Sequence, residues 1–240
     1  MAYSDFKLQE LVKIFALSLQ ETPDYFGTIQ PVAPSDHLSL TLQRNLNLAV
    51  SINTEKARSE LIIAPVLLEV KQQFDGQISL FSGIDFTVDS QQGLNGVCDF
   101  LISRSPEQLF VQAPVLTLVE AKNENLKSGF AQCMAEMIAA QLFNQQEGNP
   151  IDPTYGVVTI GTIWRFLCLS DRQVILDTTE YFIKDIGQIL GILYHMVTET
   201  AGSLRPSLPN PVMIQGFTTD LGRGNPPVVA PVLDPQEGQT

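Results

Sequence analysis

The sequence predicts an α/β fold, a central mixed sheet sandwiched between helices, on three observations. Amphipathic helix patterns bracket runs of β-branched and apolar residues in the order helix, three strands, helix, two or three strands, helix. Two of those runs, Gly96–Ile102 and Thr117–Lys122, are apolar enough to be buried, yet they carry Asp99, Glu120 and Lys122. The length of 240 residues, with 44% hydrophobic and 17% charged content, is enough for one sizeable core.

The elements follow in order. Phe6, Leu8, Leu11, Val12, Ile14, Phe15 and Leu19 recur at helical spacing, so residues 4–20 are expected as a helix ended by Thr22-Pro23-Asp24. A loop containing Pro31 and Pro34 leads to a short helix over 40–51. Asn53-Thr54 can cap the next helix, 55–74, which Pro65 should kink or break. Strands are expected over 77–88, 96–103 and 115–122, with a turn over 89–95. A helix over 126–146 and a loop at Gly148-Asn149-Pro150 come next. Strands over 155–163, 164–169 and 173–177 and an amphipathic helix over 185–200 complete the core. Seven of the fifteen prolines lie beyond Gly202 with little periodic apolar pattern, so 202–240 is expected as a flexible Pro/Gly-rich tail.

Composition narrows the setting. No apolar run reaches the ~18 residues of a membrane span. Met1 to Asp5 lacks the basic and apolar regions of a signal peptide. Cys98, Cys133 and Cys168 are odd in number, widely spaced and set among apolar residues, so they are expected as reduced core residues of a cytoplasmic protein. The net charge of −12 runs against the basic footprint usual for nucleic-acid binding. A local basic groove would have to overcome it, and Lys56, Arg58, Arg104 and Lys127 are the bases available to rim one.

The chemistry concentrates in Asp99 and in Glu120-Ala121-Lys122. Glu120 and Lys122 are two apart on one strand and so share a face; Asp99 reaches that face if its strand is the neighbour. Glu60 on the preceding helix can add a third carboxylate, and Gln132 near the start of the following helix can turn its amide toward the strand end. Two acids and a lysine at adjacent strand ends suit a divalent cation and metal-assisted phosphodiester hydrolysis. Trp164 is expected in the core, and His37 and His195, far apart, as structural or surface residues.

With these residues assembled, the chain resembles the PD-(D/E)XK nuclease superfamily over about residues 54–180. Asp99 matches the first acid, Glu120-Ala121-Lys122 the second acid and lysine, and Glu60 the helix glutamate ahead of the core. Gly156 to Trp164 is similar to the G-x-x-T-x-G-x-x-W strand pair in nuclease domains of type I restriction enzymes. Two positions depart from the pattern: Cys98 stands in place of the proline, which many members also lack, and the Q-x-x-x-Y element of one subgroup is Gln132-x-x-x-Glu136.

The resemblance implies a restriction-endonuclease-like three-layer sandwich over 36–201, preceded by an N-terminal helix and linker over 1–35. It implies a Mg²⁺ or Mn²⁺ held by Asp99, Glu120 and the Ala121 carbonyl, with Glu60 completing that site or a second one. Lys122 would orient and help deprotonate the attacking water. The expected function is a divalent-metal-dependent nuclease acting on nucleic acid, DNA above all. The alternative is a catalytically inactive member that serves as a binding or assembly module, for instance beside a DNA-binding partner protein. A homo-oligomer is compatible with a sequence that sets no oligomeric state.

Overall fold

The computed structural model describes residues 1–122 and 126–202. In chain order the elements are α1 (Leu8–Ile14), β1 (Ser18–Thr22), α2 (Asp36–Ile52), α3 (Glu55–Arg58), a π-helical turn (Ser59–Ile63) and α4 (Ala64–Gln73). Then come β2 (Ser79–Asp85), β3 (Val97–Ser103), β4 (Val115–Ala121), α5 (Leu126–Gln146), β5 (Thr154–Thr159) and β6 (Ile163–Ser170). The last are β7 (Gln173–Asp177), β8 (Tyr181–Phe182) and α6 (Ile186–Gly202). The expected tail beyond Gly202 lies outside the described residues.

Among the described residues, eight strands make one open mixed sheet in the order β1-β7-β6-β5-β4-β3-β2, with β8 against β6. The central pair β4 and β5 is parallel, so the chain must cross over between them, and α5 is that crossover. β1 and β7 are also parallel, and the remaining pairs are antiparallel. Apolar side chains fill both faces. Ile62, Val66, Leu67, Ile189 and Leu193 pack on one, while Leu11, Phe130, Met134 and Met137 pack on the other. All seven residues of β4 are buried, which is why it reads as an unbroken apolar run.

The structure departs from the sequence expectation at the N-terminus. The helix expected over 4–20 is only Leu8–Ile14; Ala16 turns the chain at φ 51°, and Ser18–Thr22 becomes an edge strand on β7. Leu17 and Leu19 continue an apolar pattern that a helix and a strand both satisfy over so short a span, and the β7 partner decides between them.

Pro65 breaks the helix over 55–74 locally instead of ending it. A π turn over Ser59–Ile63 precedes it, and Pro65 falls in the first turn of α4, where a missing N–H is tolerated. Pro65 cannot donate to the Leu61 carbonyl, and Asn45 Nδ2 on α2 donates to that oxygen at 3.4 Å. α2 begins at Asp36, earlier than expected. Ser35 Oγ accepts from Leu38 N at 3.1 Å, and the buried Glu69 accepts from Ser35 N and Oγ at 2.7 and 2.8 Å. That carboxylate ties the start of α2 to α4.

The Gly156–Trp164 segment expected as two abutting strands is a hairpin with a tight turn over residues 160–162. Gly161 sits at φ 80°, a conformation that favours glycine. Thr159 Oγ1 accepts from Gly161 N at 2.9 Å and donates to the Ile163 carbonyl at 2.9 Å, and the buried Trp164 donates Nε1 to the Gly161 carbonyl at 2.9 Å. Trp164 is a core residue, as expected. Cys98, Cys133 and Cys168 are free and buried, and burial pushes all three thiols up. His37 is exposed, and His195 tilts against Tyr155 with ring centroids 6.4 Å apart. No helix among the described residues is long and apolar enough to cross a membrane.

Asp177, at the end of β7, is wholly buried and holds the segment after β1 to the sheet. It accepts from Phe26 N at 3.1 Å, Thr179 N at 2.9 Å and the Tyr181 hydroxyl at 2.8 Å. Each donor left buried without an acceptor costs ~1–3 kcal/mol. Asp177→Ala should therefore lower stability by about 3 kcal/mol or more, read as a lower urea midpoint at unchanged m-value.

Candidate functional site

β3 and β4 pair antiparallel with Phe100 opposite Val119, which brings Asp99 beside Glu120 at the end of the ladder. There the Asp99 side chain continues the strand pairing: Oδ2 accepts from the Ala121 backbone N–H at 2.8 Å. Glu120 is buried to 1% exposure, while Lys122 keeps 19%. Lys122 Nζ donates to Glu120 Oε1 in a direct ion pair, and Gln132 Nε2 on α5 donates to Glu120 Oε2 at 2.8 Å. Gln132 Oε1 in turn faces Lys122 Nζ at 3.4 Å. Four of the residues expected in the site, Asp99, Glu120, Lys122 and Gln132, form one contiguous network with the Ala121 backbone.

Glu60 stands apart from that network. It is exposed on the π turn and pairs with Lys56, Nζ to Oε1 3.0 Å. It shares with Asp99 and Ala121 the lining of a cleft of about 260 Å³, together with Glu55, Lys56, Ser59, Ser82 and Gly83. Among the described residues, no three His, Cys, Asp or Glu side chains gather as a ready metal cage. The donor set fits a narrower requirement. A Mg²⁺ ion keeps several waters and needs only one or two carboxylates; Asp99 lines the cleft with Ala121, and Glu120 stands beside Asp99 outside that lining, its two oxygens held by Lys122 and Gln132.

The electrostatics fit the same picture. Burial first and the Asp99 charge second raise the Glu120 pKa, Lys122 opposes both, and the net value is about 8. Asp99 is also raised by burial, which the Ala121 N–H and Lys122 partly offset. Burial works to lower the Lys122 pKa, but the Glu120 and Asp99 charges outweigh it and the ammonium form is favoured. Two mutually repelling carboxylates beside a cleft are the condition a bound cation relieves.

Two acids that the sequence reading did not assign belong to this neighbourhood. Glu55, the first residue of α3, lines the cleft, and its charge acts on both Glu120 and Lys122. Glu136 is wholly buried on α5 and accepts from Gln132 Nε2 at 3.1 Å. Burial and the Glu120 charge hold its pKa well above the carboxylate range. A lone acid within the apolar run Ala131 to Ala140 was the available signal for Glu136. Glu55 carried no signal beyond its place after the Asn53-Thr54 cap.

Of the expected basic rim, Lys56 lines the cleft. Arg58 is buried, donating NH1 to the Ile160 carbonyl at 2.9 Å and NH2 to Asn53 Oδ1 at 2.9 Å, and so braces the β5–β6 turn. Arg104 donates to the Val197 carbonyl of α6. Lys127 lines a different cavity, about 590 Å³ between Leu8, Leu19, Phe130, Ile163 and Arg165, which holds none of the four networked side chains.

No known protein-family model matches the chain, and no curated protein matches it significantly.

Two predictions follow from the geometry. A Cβ added at Gly129 would lie 2.6 Å from Val158 Cγ1 and 3.2 Å from Lys122 Cγ, so Gly129→Ala should lift α5 from β5 and displace Lys122. Overpacking of this kind costs ~1–3 kcal/mol, read by thermal melting. For pH, the folded Glu120 binds its proton more tightly than the unfolded one, so the stability tied to that proton is complete below about pH 4.5 and lost as pH rises through about 8. The metal-free protein should therefore melt at lower temperature at pH 8 than at pH 5, and Glu120→Gln should flatten that slope. A melting temperature that rises across this window contradicts the assignment.

Proposed function

We propose that the chain is a divalent-metal-dependent nuclease of PD-(D/E)XK type with a restriction-endonuclease-like core, acting on DNA. The observation that carries the reading is Lys122 held on a buried Glu120 at the end of β4, with Asp99 bonded across the strand pair to Ala121. An acid, an acid and a lysine at the ends of adjacent strands suit metal-assisted phosphodiester hydrolysis. The α/β core, with a mixed sheet covered by helices, is compatible with this fold type.

Asp99, Glu120 and the Ala121 carbonyl would hold a Mg²⁺ or Mn²⁺ ion, whose chemistry is Lewis-acid stabilisation of charge on the phosphate. Lys122 presents a charged ammonium, which donates hydrogen bonds and cannot accept a proton in that form. Its role on this reading is to orient the attacking water or a phosphate oxygen and to stabilise developing negative charge. Gln132 keeps Glu120 turned toward Lys122 by occupying its second oxygen. Lys56 and Glu60 stand at the cleft mouth, where the substrate backbone would enter.

A second reading, a non-catalytic binding or assembly module, is favoured by one observation: both Glu120 oxygens already have protein donors, as in a structural ion pair. Incubation with plasmid, linear and single-stranded DNA and with RNA, in Mg²⁺ and Mn²⁺, separates the two. The nuclease reading expects metal-dependent cleavage that Lys122→Ala lowers by about 10²–10³-fold while leaving Mn²⁺ binding in place. It also expects Mn²⁺ at a hundredfold its Kd to raise Tm by about 5–10 °C, and Asp99→Ala to lose both the rise and the cleavage. No cleavage together with melts indifferent to Mn²⁺ would overturn it and leave the module.

A further inference from the structure

Glu136 meets the network at Gln132, with the Glu120 carboxyl beside it, and its position demands an explanation. It lies midway along α5 with no exposed surface, between Ala135 and Met137 in a helix whose neighbours Cys133, Met134, Ala139 and Ala140 are all buried. Burying a carboxyl group there is unfavourable, and no cation pairs with it among the described residues. Oε2 has no hydrogen-bond donor among the described residues. An apolar residue of the same size would contribute more stability at such a site. Stability therefore does not account for an acid at this position.

Geometry does. A side-chain amide has two N–H donors on one end and an acceptor on the other. The Gln132 N–H end meets two carboxyl groups, Glu120 at 2.8 Å and Glu136 at 3.1 Å, while its carbonyl faces the Lys122 ammonium at 3.4 Å. Reversing the amide would set its N–H end against the Lys122 ammonium and remove the acceptor that now faces Nζ. With Glu136 gone, only Glu120 and Lys122 would orient Gln132, and the N–H now bonded to Glu136 would lose that acceptor.

We infer that Glu136 is a positioning residue: by holding the Gln132 amide in one orientation from beneath, it aims the Glu120 carboxylate at Lys122 and at the Asp99 side of β4. The inference rests on the nuclease reading insofar as Glu120 is taken as a cation ligand. Groups of this kind, which orient a ligand without touching the ion, typically change metal affinity by about 10–100-fold when removed.

The test compares the full chain with Glu136→Leu, Glu136→Gln, Gln132→Leu and the Gln132→Leu/Glu136→Leu double variant. The first readout is the Gln132 side-chain NH₂ signal in ¹H–¹⁵N spectra without metal. It should be protected from solvent exchange in wild type and Glu136→Gln, which keeps an acceptor, and lose that protection in Glu136→Leu. The second is Mn²⁺ binding. Glu136→Leu should weaken it by about 10–100-fold at an unchanged or higher Tm, Glu136→Gln should stay close to wild type, and the double variant should be no weaker than Gln132→Leu alone. A merely structural Glu136 predicts the reverse pattern, with lower Tm and unchanged Mn²⁺ affinity, and that result overturns the inference. Should Glu136→Leu fail to fold, Glu136→Gln and Gln132→Leu still decide: equal Mn²⁺ affinity in Gln132→Leu and wild type overturns it. A wild type that binds no Mn²⁺ defeats the nuclease reading and the inference with it. Binding by wild type and Glu136→Leu alike defeats the inference alone.

Discussion

The Glu120 carboxylate, 1% exposed at the end of the central strand, is the constraint around which this half of the molecule is arranged. Removing a charge from water is expensive unless partners replace the lost hydration. Lys122 supplies one partner from the same strand, and Gln132 supplies the other from the crossover helix. For Lys122 to fold back along β4, the helix above it must leave room, and Gly129 is where it does so. Neighbouring Phe130 then packs with Arg165 stacked over its ring, 5.4 Å from guanidinium to centroid. The position of α5 on the sheet is thus tied to the electrostatics of a single buried acid.

Backbone devices shape the same strand ends where they border the cleft. Asp99 replaces a missing ladder bond by accepting from Ala121, which keeps β3 and β4 together one step beyond their last regular pair. The π turn ahead of Pro65 carries Ser59 and Glu60 past the strand ends, and Arg58 anchors it to the Ile160 carbonyl of the β5–β6 turn. Gly83, at φ 63° in β2, has no side chain to fill the space between that turn and Asp99. The cleft therefore exists because three local irregularities, a π turn, a strand-end carboxylate and a left-handed glycine, coincide at one corner of an otherwise regular sheet.

What could be read from the sequence follows from this division. β4, α5 and the β5–β6 pair were legible because long apolar runs buried on both sides admit few alternatives. The Glu120–Lys122 pairing was legible because residues two apart on a strand must share a face. β1 was not, since five residues from Ser18 to Thr22 become a strand only when β7 lies alongside. The helix acid was expected at Glu60, and the structure lines the cleft with both Glu60 and Glu55. A π turn adds a residue and shifts the helical phase by about 100°, so no periodicity rule could tell whether Glu55 or Glu60 would act on Glu120. Glu136 stood in plain view as an acid in an apolar helix, four residues from Gln132 and so beside it, but the link of that pair to Glu120 is legible only once α5 is docked over β4.

The charge balance then separates the two functional readings on physical grounds. The chain carries 26 acidic residues against 14 basic ones. Near the candidate site Glu55, Glu60, Asp99 and Glu120 outnumber Lys56 and Lys122, and the Lys56–Glu60 pair at the rim is too exposed to contribute much beyond its own neutralisation. A phosphate backbone approaching that corner meets a net negative field, and within a Debye length salt does not remove it. On the nuclease reading, a divalent cation must be seated before the polyanion arrives, so nucleic-acid affinity is itself metal-dependent. On the module reading nothing reverses the field, and the partner that fits this corner is a cationic surface. The sign of the partner's charge is thus set by whether the Asp99–Glu120 repulsion is relieved by a bound ion or only by Lys122.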